Sequence, residues 1–244
     1  MIREDWIVLF DVYQIILWCV LYYECIRIGF RDKTYAVPYF AICMNIFVET
    51  LCLFDYIVTR GEAFHIHILY ISWVLLDSMV VFTYFKYGKM EFERNLKRLF
   101  NKIKPEIKYS YYKRTILNPF VVLSALLILY IYCEFWKGWF MFVDNLIMSA
   151  LFIAMLYVRK GSRGQSMSIA FTKCLGTLCA TITMVLNGSY VLFAMGIGCF
   201  VLDVAYIILL YRTIQTEKAI VRPPKRKIKS LMELSSPQKN VRLN

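Results

Sequence analysis

Pro38-Tyr39-Phe40-Ala41-Ile42-Cys43-Met44-Asn45-Ile46-Phe47-Val48-Glu49-Thr50 reads as part of a membrane span with a carboxyl set into it. The apolar run around it is long enough to cross a bilayer, at about 20 residues and 1.5 Å of rise each. Asn45 and Glu49 stand four residues apart, so they share one helix face. A carboxyl at membrane depth costs roughly 2.5–3.5 kcal/mol on insertion scales and more by simulation. Glu49 therefore points to a function, and to other polar groups that it faces.

The composition agrees with a membrane setting. Mean hydropathy is +0.54, with 59% hydrophobic and 19% charged residues, which excludes an ordinary soluble domain. The chain of 244 residues fits one bundle with short loops and has no room for a separate soluble domain. The start, Arg3-Glu4-Asp5-Trp6, lacks a basic n-region and a small-residue cleavage site, so the first apolar segment is expected to be a retained span. In a chain this apolar, the net charge of +12 reads as orientation and attraction to anionic headgroups rather than nucleic-acid binding. The cysteines fall almost entirely inside apolar runs without a metal-binding spacing, as small buried side chains do.

An all-α integral membrane fold follows, a seven-transmembrane helix bundle. The spans are expected at about 6–28, 35–58, 64–87, 115–133, 139–158, 169–187 and 189–211. Gly188 is the one turn signal between the last two, which makes that hairpin tight. Seven spans put Arg3, Arg60 and Lys137 on one side and every other Lys and Arg on the opposite side. An even number of spans does not segregate charge in this way. Positive-inside then places the N-terminus outside and the C-terminus in the cytoplasm.

The membrane domain thus covers 1–212, followed by a basic cytoplasmic tail at 213–244. Within the domain, 89–114 carries Phe92, Leu96, Leu99, Phe100, Ile103 and Ile107 at helical spacing between Lys and Arg. That pattern predicts an amphipathic segment on the inner membrane surface. Trp6, Trp136 and Trp139 stand at span ends, as interfacial aromatics do. His65 and His67 lack a third partner for a metal.

Three carboxyls lie deepest. Measured from the inner end of its span, Glu49 stands at roughly 20 Å, Asp77 at about 15 Å and Asp203 at about 12 Å. No Lys or Arg stands at comparable depth in this reading, so at least one of the three is expected to be protonated at neutral pH. A neutral carboxylic acid in an apolar cavity is a proton donor. Asp144-Asn145 is a further candidate for the cavity, and a hydrogen bond from Asn45 to Asp77 is the structural alternative for Asp77. Trp73 stands one turn before Asp77 and Tyr206 about one turn after Asp203, with Tyr84, Tyr87 and Tyr190 on the same two spans. Aromatic faces around an acid stabilise a cation.

Three groups of residues match a known family: Pro38…Ala41…Cys43-Met44-Asn45…Glu49, then Trp73…Leu76-Asp77…Tyr84…Tyr87-Gly88, then Gly188-Ser189-Tyr190…Gly198…Asp203…Tyr206. On these the chain resembles the membrane-bound terpene cyclases of fungal meroterpenoid and indole-diterpene pathways and their bacterial relatives. The resemblance implies acid-initiated cyclisation of a linear polyprenyl substrate, by protonation of an epoxide or alkene. It implies Glu49 and Asp203 as the catalytic carboxyls, with Asn45 orienting Glu49. Asp77, Trp73, Tyr84, Tyr190 and Tyr206 would support the acids or line the substrate. One departure is Val48, where that family usually carries an aromatic residue before the acid.

No DDxxD, NSE-type or DxDD cluster is present, so neither metal-assisted diphosphate ionisation nor the soluble protonation-type cyclase is expected, and no cofactor or metal is implied. A retinal protein is excluded because the last span has no Lys for a Schiff base. The alternatives are a small seven-span transporter with a carboxyl-lined translocation site, and a structural protein whose acids serve as helix glue. The expected location is a bacterial plasma membrane or a eukaryotic endomembrane.

Overall fold

A computed structural model describes residues 2–55, 64–99 and 137–221 of the chain, and these form six helices with no strand among them. They are α1 (Ile2–Asp32), α2 (Tyr39–Asp55), α3 (Phe64–Leu99), α4 (Lys137–Arg159), α5 (Met167–Leu186) and α6 (Tyr190–Val221). The span expected at 115–133, the inner-surface segment beyond 99 and the tail beyond 221 lie outside the described residues.

Local signals set the helix ends. α2 begins directly after Pro38, whose carbonyl accepts the Ile42 amide at 3.1 Å. Ser166 caps α5 in an extended conformation, and its hydroxyl accepts the Ile169 amide. Gly188 takes φ +77° in the three-residue link from α5 to α6, a left-handed conformation that glycine adopts without strain.

The largest helix-to-helix contacts run α1–α5–α6–α4–α2–α3 and return to α1, which closes a ring. The outside of that ring is apolar. Val8, Val12, Ile16 and Val20 repeat every four residues along α1 and are all exposed. Ile71, Leu75, Met79 and Phe82 form a similar exposed stripe on α3. Arg3–Asp32, Met141–Arg159, Met167–Leu186 and Tyr190–Ile220 are long and apolar enough to cross a bilayer. The polar side chains Asp77, Ser149, Lys173, Thr177 and Asp203 are instead fully buried inside. A bundle with an apolar outside and a polar inside is built for lipid.

α3 departs from the expected boundary at 87 and runs on unbroken to Leu99. Gly88 does not interrupt it, because the Tyr84 ring packs over the space a side chain would take. The Lys86 ammonium lies 5.5–5.7 Å from the ring centres of Phe30, Phe82 and Tyr87. Glu91 and Asn95 then turn inward and are buried. The first turns of the amphipathic segment therefore extend a core helix.

α5 and α6 are packed tightly at Gly196. A Cβ there would overlap the side chain of Thr181, whose hydroxyl is already engaged with the Thr177 carbonyl at 2.7 Å. Gly196→Ala is expected to lower stability by about 1–3 kcal/mol, as overpacking does, read as a lower Tm of the detergent-solubilised protein.

Candidate active site

Glu49 is 7% exposed and sits where three helices meet. From α1, the Tyr22 hydroxyl donates to Glu49 Oε1 at 2.8 Å. On the same face of α2, Asn45 Nδ2 donates to Glu49 Oε1 at 3.0 Å. That nitrogen also reaches the Tyr22 oxygen at 2.6 Å and, on α3, Asp77 Oδ2 at 2.7 Å. The i, i+4 spacing that pairs Asn45 with Glu49 thus carries one amide into contact with two carboxyls and a phenol.

Asn45 Nδ2 thus bridges the carboxyls of Glu49 and Asp77. Glu49 Oε2 and Asp77 Oδ1 are buried without a hydrogen-bond partner among the described residues. Glu49 therefore has one oxygen held by donors and one left over, the natural seat of an acid proton.

Glu49, Asn45 and Tyr22 border a cavity of about 420 Å³. It opens between the N-terminal half of α1, the C-terminal part of α5 and the start of α4. Trp18 and Trp73 supply aromatic faces, and Val48, Phe142 and Met148 supply apolar wall. Such a volume, walled by apolar and aromatic side chains with several polar groups converging on it, is typical of a small-molecule site. Asp144 and Asn145 also line it. Asp144 is 2% exposed, and its Oδ1 has no hydrogen-bond partner among the described residues.

The expectation that no cation reaches this depth fails at Lys173. Lys173 stands in the second turn of α5, and its long stem carries the ammonium into the bundle rather than out to the interface. Its Nζ lies 2.9 and 3.1 Å from the two oxygens of Asp203, 2.6 Å from Ser149 Oγ and 3.0 Å from Asn145 Oδ1. Both partners of the ion pair are fully buried. Three acceptor residues match the three N–H groups of the ammonium, which is the condition for keeping a buried charge.

The predicted residues therefore divide. Glu49, Asn45 and Trp73 line the cavity, and Asp77 joins them through its bond to Asn45 without lining it. Asp203 lies behind the wall, bound to Lys173. Tyr206 is fully buried in the core and donates to Gln165 Oε1 at 2.9 Å, away from the cavity lining. Tyr84 stacks on Tyr39 with ring centres 3.8 Å apart and does not line the cavity. Tyr190 opens α6 and is 74% exposed. Asp144-Asn145, the further candidate for the cavity, does line it, whereas Tyr22 and Lys173 are the residues that the sequence did not single out.

A family model for Pyr4-like transmembrane terpene cyclases matches residues 5–216. The chain belongs to that family. It is therefore a multi-pass integral membrane protein, a membrane terpene cyclase of terpenoid biosynthesis, and the class of substrate this family implies is of prenyl type. The matched residues take in all of α2, α3, α4 and α5 and the described Glu49 and Asp203 sites. No curated protein sequence matches the chain.

Proposed function

We propose that this cyclase is protonation-initiated, with Glu49 as the acid and a linear polyprenyl chain as substrate. The observation that carries the reading is the Glu49 carboxyl at the cavity wall, with Oε1 held by Tyr22 and Asn45 and Oε2 left without a partner. The proton on Oε2 passes to an epoxide oxygen or an alkene carbon of the folded substrate. The carbon–oxygen or π-bond electrons leave a cation, which neighbouring double bonds attack in turn to close rings. Loss of a proton from the last cation forms a double bond, so the product is an isomer of the substrate. The Glu49 carboxylate left behind is stabilised by the same two donors, and Asp77 sits in position to share or return a proton. Trp18 and Trp73 offer faces to the travelling cation. Asp203 is the second required carboxyl and acts from behind the wall. No cofactor or metal takes part in this scheme.

The architecture we propose around the site is a seven-span domain over 1–212, with its N-terminus outside and its C-terminus in the cytoplasm. The remainder of the 89–114 segment, past the end of α3 at Leu99, and the tail at 213–244 rest on anionic headgroups. The cavity then lies in the outer half of the bundle, and Lys173 below it.

Membranes containing the protein are expected to convert an epoxidised or plain polyprenyl substrate into a cyclic product of unchanged mass. Recovery of linear material alone across the common prenyl chain lengths counts against the reading. Val48 also lines the cavity beside the acid. Val48→Trp would fill part of that space and add a cation-facing ring. It is expected to raise KM most for the longest substrate that wild type accepts, and to shift the product distribution seen by gas chromatography.

A further inference from the structure

Asn145 is held on two sides by groups outside the cavity. Its Oδ1 accepts from Lys173 Nζ at 3.0 Å, and its Nδ2 donates to Thr177 Oγ1 at 2.9 Å. These bonds fix the amide's orientation, so that the carbonyl faces the ammonium. The remaining N–H of Nδ2 has no acceptor among the described residues, and Asn145 lines the cavity. A cation on the carbonyl side of an amide polarises it and strengthens its N–H donors. Lys173 in turn keeps its place through Asp203, which meets it with both carboxylate oxygens. The chain of contacts runs Asp203, Lys173, Asn145, cavity.

We propose that Asn145 is a binding residue for an oxygen atom of the substrate, and that Lys173 and Asp203 are positioning residues that fix and polarise it. The substrate class is a prenyl chain bearing an acceptor oxygen, as an epoxide, hydroxyl or carbonyl. This rests on the cyclase reading above and deepens it. It gives Asp203 a task that needs no access to the substrate. The carboxylate neutralises a buried ammonium, and the ammonium orients the amide.

The test uses the full chain in membranes, with an oxygen-bearing prenyl substrate and its analogue lacking that oxygen. Lys173→Met and Asn145→Ala are each expected to lower kcat/KM for the oxygenated substrate about tenfold, mainly through KM, the size of one lost hydrogen bond. The loss on the deoxygenated analogue should be about fivefold smaller than on the oxygenated substrate, a selectivity that a merely structural role would not produce. Asp203→Asn leaves the ammonium buried and unpaired, and is expected to fall furthest. Adding Lys173→Met to Asp203→Asn should bring activity back up to the level of Lys173→Met alone. A folded double variant as inactive as Asp203→Asn would overturn the proposal, since Asp203 would then act on the substrate itself. Equal losses on both substrates would overturn it as well. Both outcomes leave the cyclase reading standing if wild type still cyclises and Glu49→Gln does not. A wild type that cyclises neither substrate overturns both.

Discussion

Glu49→Gln reduces cyclisation by about 10²–10⁴-fold, the usual contribution of a positioned general acid, while the protein still folds and inserts. Gln keeps the shape of the side chain and leaves a carbonyl oxygen for Tyr22 and Asn45 to hold, at the position of Oε1. What it lacks is the ionisable proton. The loss is therefore expected in kcat, with KM within about threefold of wild type, because binding to the apolar walls is unchanged. Turnover in membranes, normalised to protein by immunoblot, measures this. Asp77→Asn gives a smaller and informative loss. It keeps the Asn45 contact but removes the second carboxyl, so a reduced rate would show that the proton is shared.

Arg159→Met is the largest expected effect on stability. Arg159 ends α4 with its side chain 1% exposed. Its guanidinium donates to the carbonyls of Arg163 and Tyr35 at 2.8 and 2.7 Å and to Thr34 Oγ1 at 3.2 Å, and lies 3.5 Å from Glu91 Oε1. It also stacks over the Tyr35 ring, 4.5 Å from its centre. One side chain thus ties the α1–α2 link, α3, α4 and the turn before α5 at one end of the bundle. Removing it takes the donor from the Tyr35 and Arg163 carbonyls and leaves the buried Glu91, among the described residues, with Arg94 at 2.8 Å and Arg163 at 3.9 Å. Breaking a buried pair costs about 3–5 kcal/mol, enough for a clear drop in Tm after detergent extraction. Arg159→Lys should recover only part of the loss, because a point charge cannot reproduce the fork of contacts.

The sequence made the acid wall legible because a deep carboxyl is expensive. Glu49, Asp77 and Asn45 stood out against apolar neighbours, and their helical spacing put two of them on one face. Helix positions were legible for the same reason, since long apolar runs leave few choices and Gly188 marks the turn between the last two. Lys173 was hidden because a Lys in the second turn of a span looks like an interfacial residue. Its depth depends on the stem pointing inward, which only Asp203, Ser149 and Asn145 from neighbouring helices determine. Tyr22 was hidden among 18 tyrosines, in a chain where aromatics are common. Tyr84 and Tyr190 shared a span with a deep acid, but sharing a helix does not fix the face. One stacks on Tyr39 and the other faces outward. The helix beyond Gly88 was legible from the spacing of Phe92, Leu96 and Leu99, but its continuity with the span was not, because Glu91 and Asn95 are polar residues that the structure buries.

The most direct test of the central claim is the mass balance of one turnover. Membranes carrying wild type and Glu49→Gln are incubated with an epoxidised polyprenyl substrate and, separately, with a prenyl diphosphate, and product and inorganic pyrophosphate are quantified together. Protonation by Glu49 predicts a cyclic product isomeric with the substrate, formed by wild type without pyrophosphate release and nearly absent with Glu49→Gln. Cyclisation that occurs only from the diphosphate, with stoichiometric pyrophosphate and an unimpaired Glu49→Gln, would contradict it.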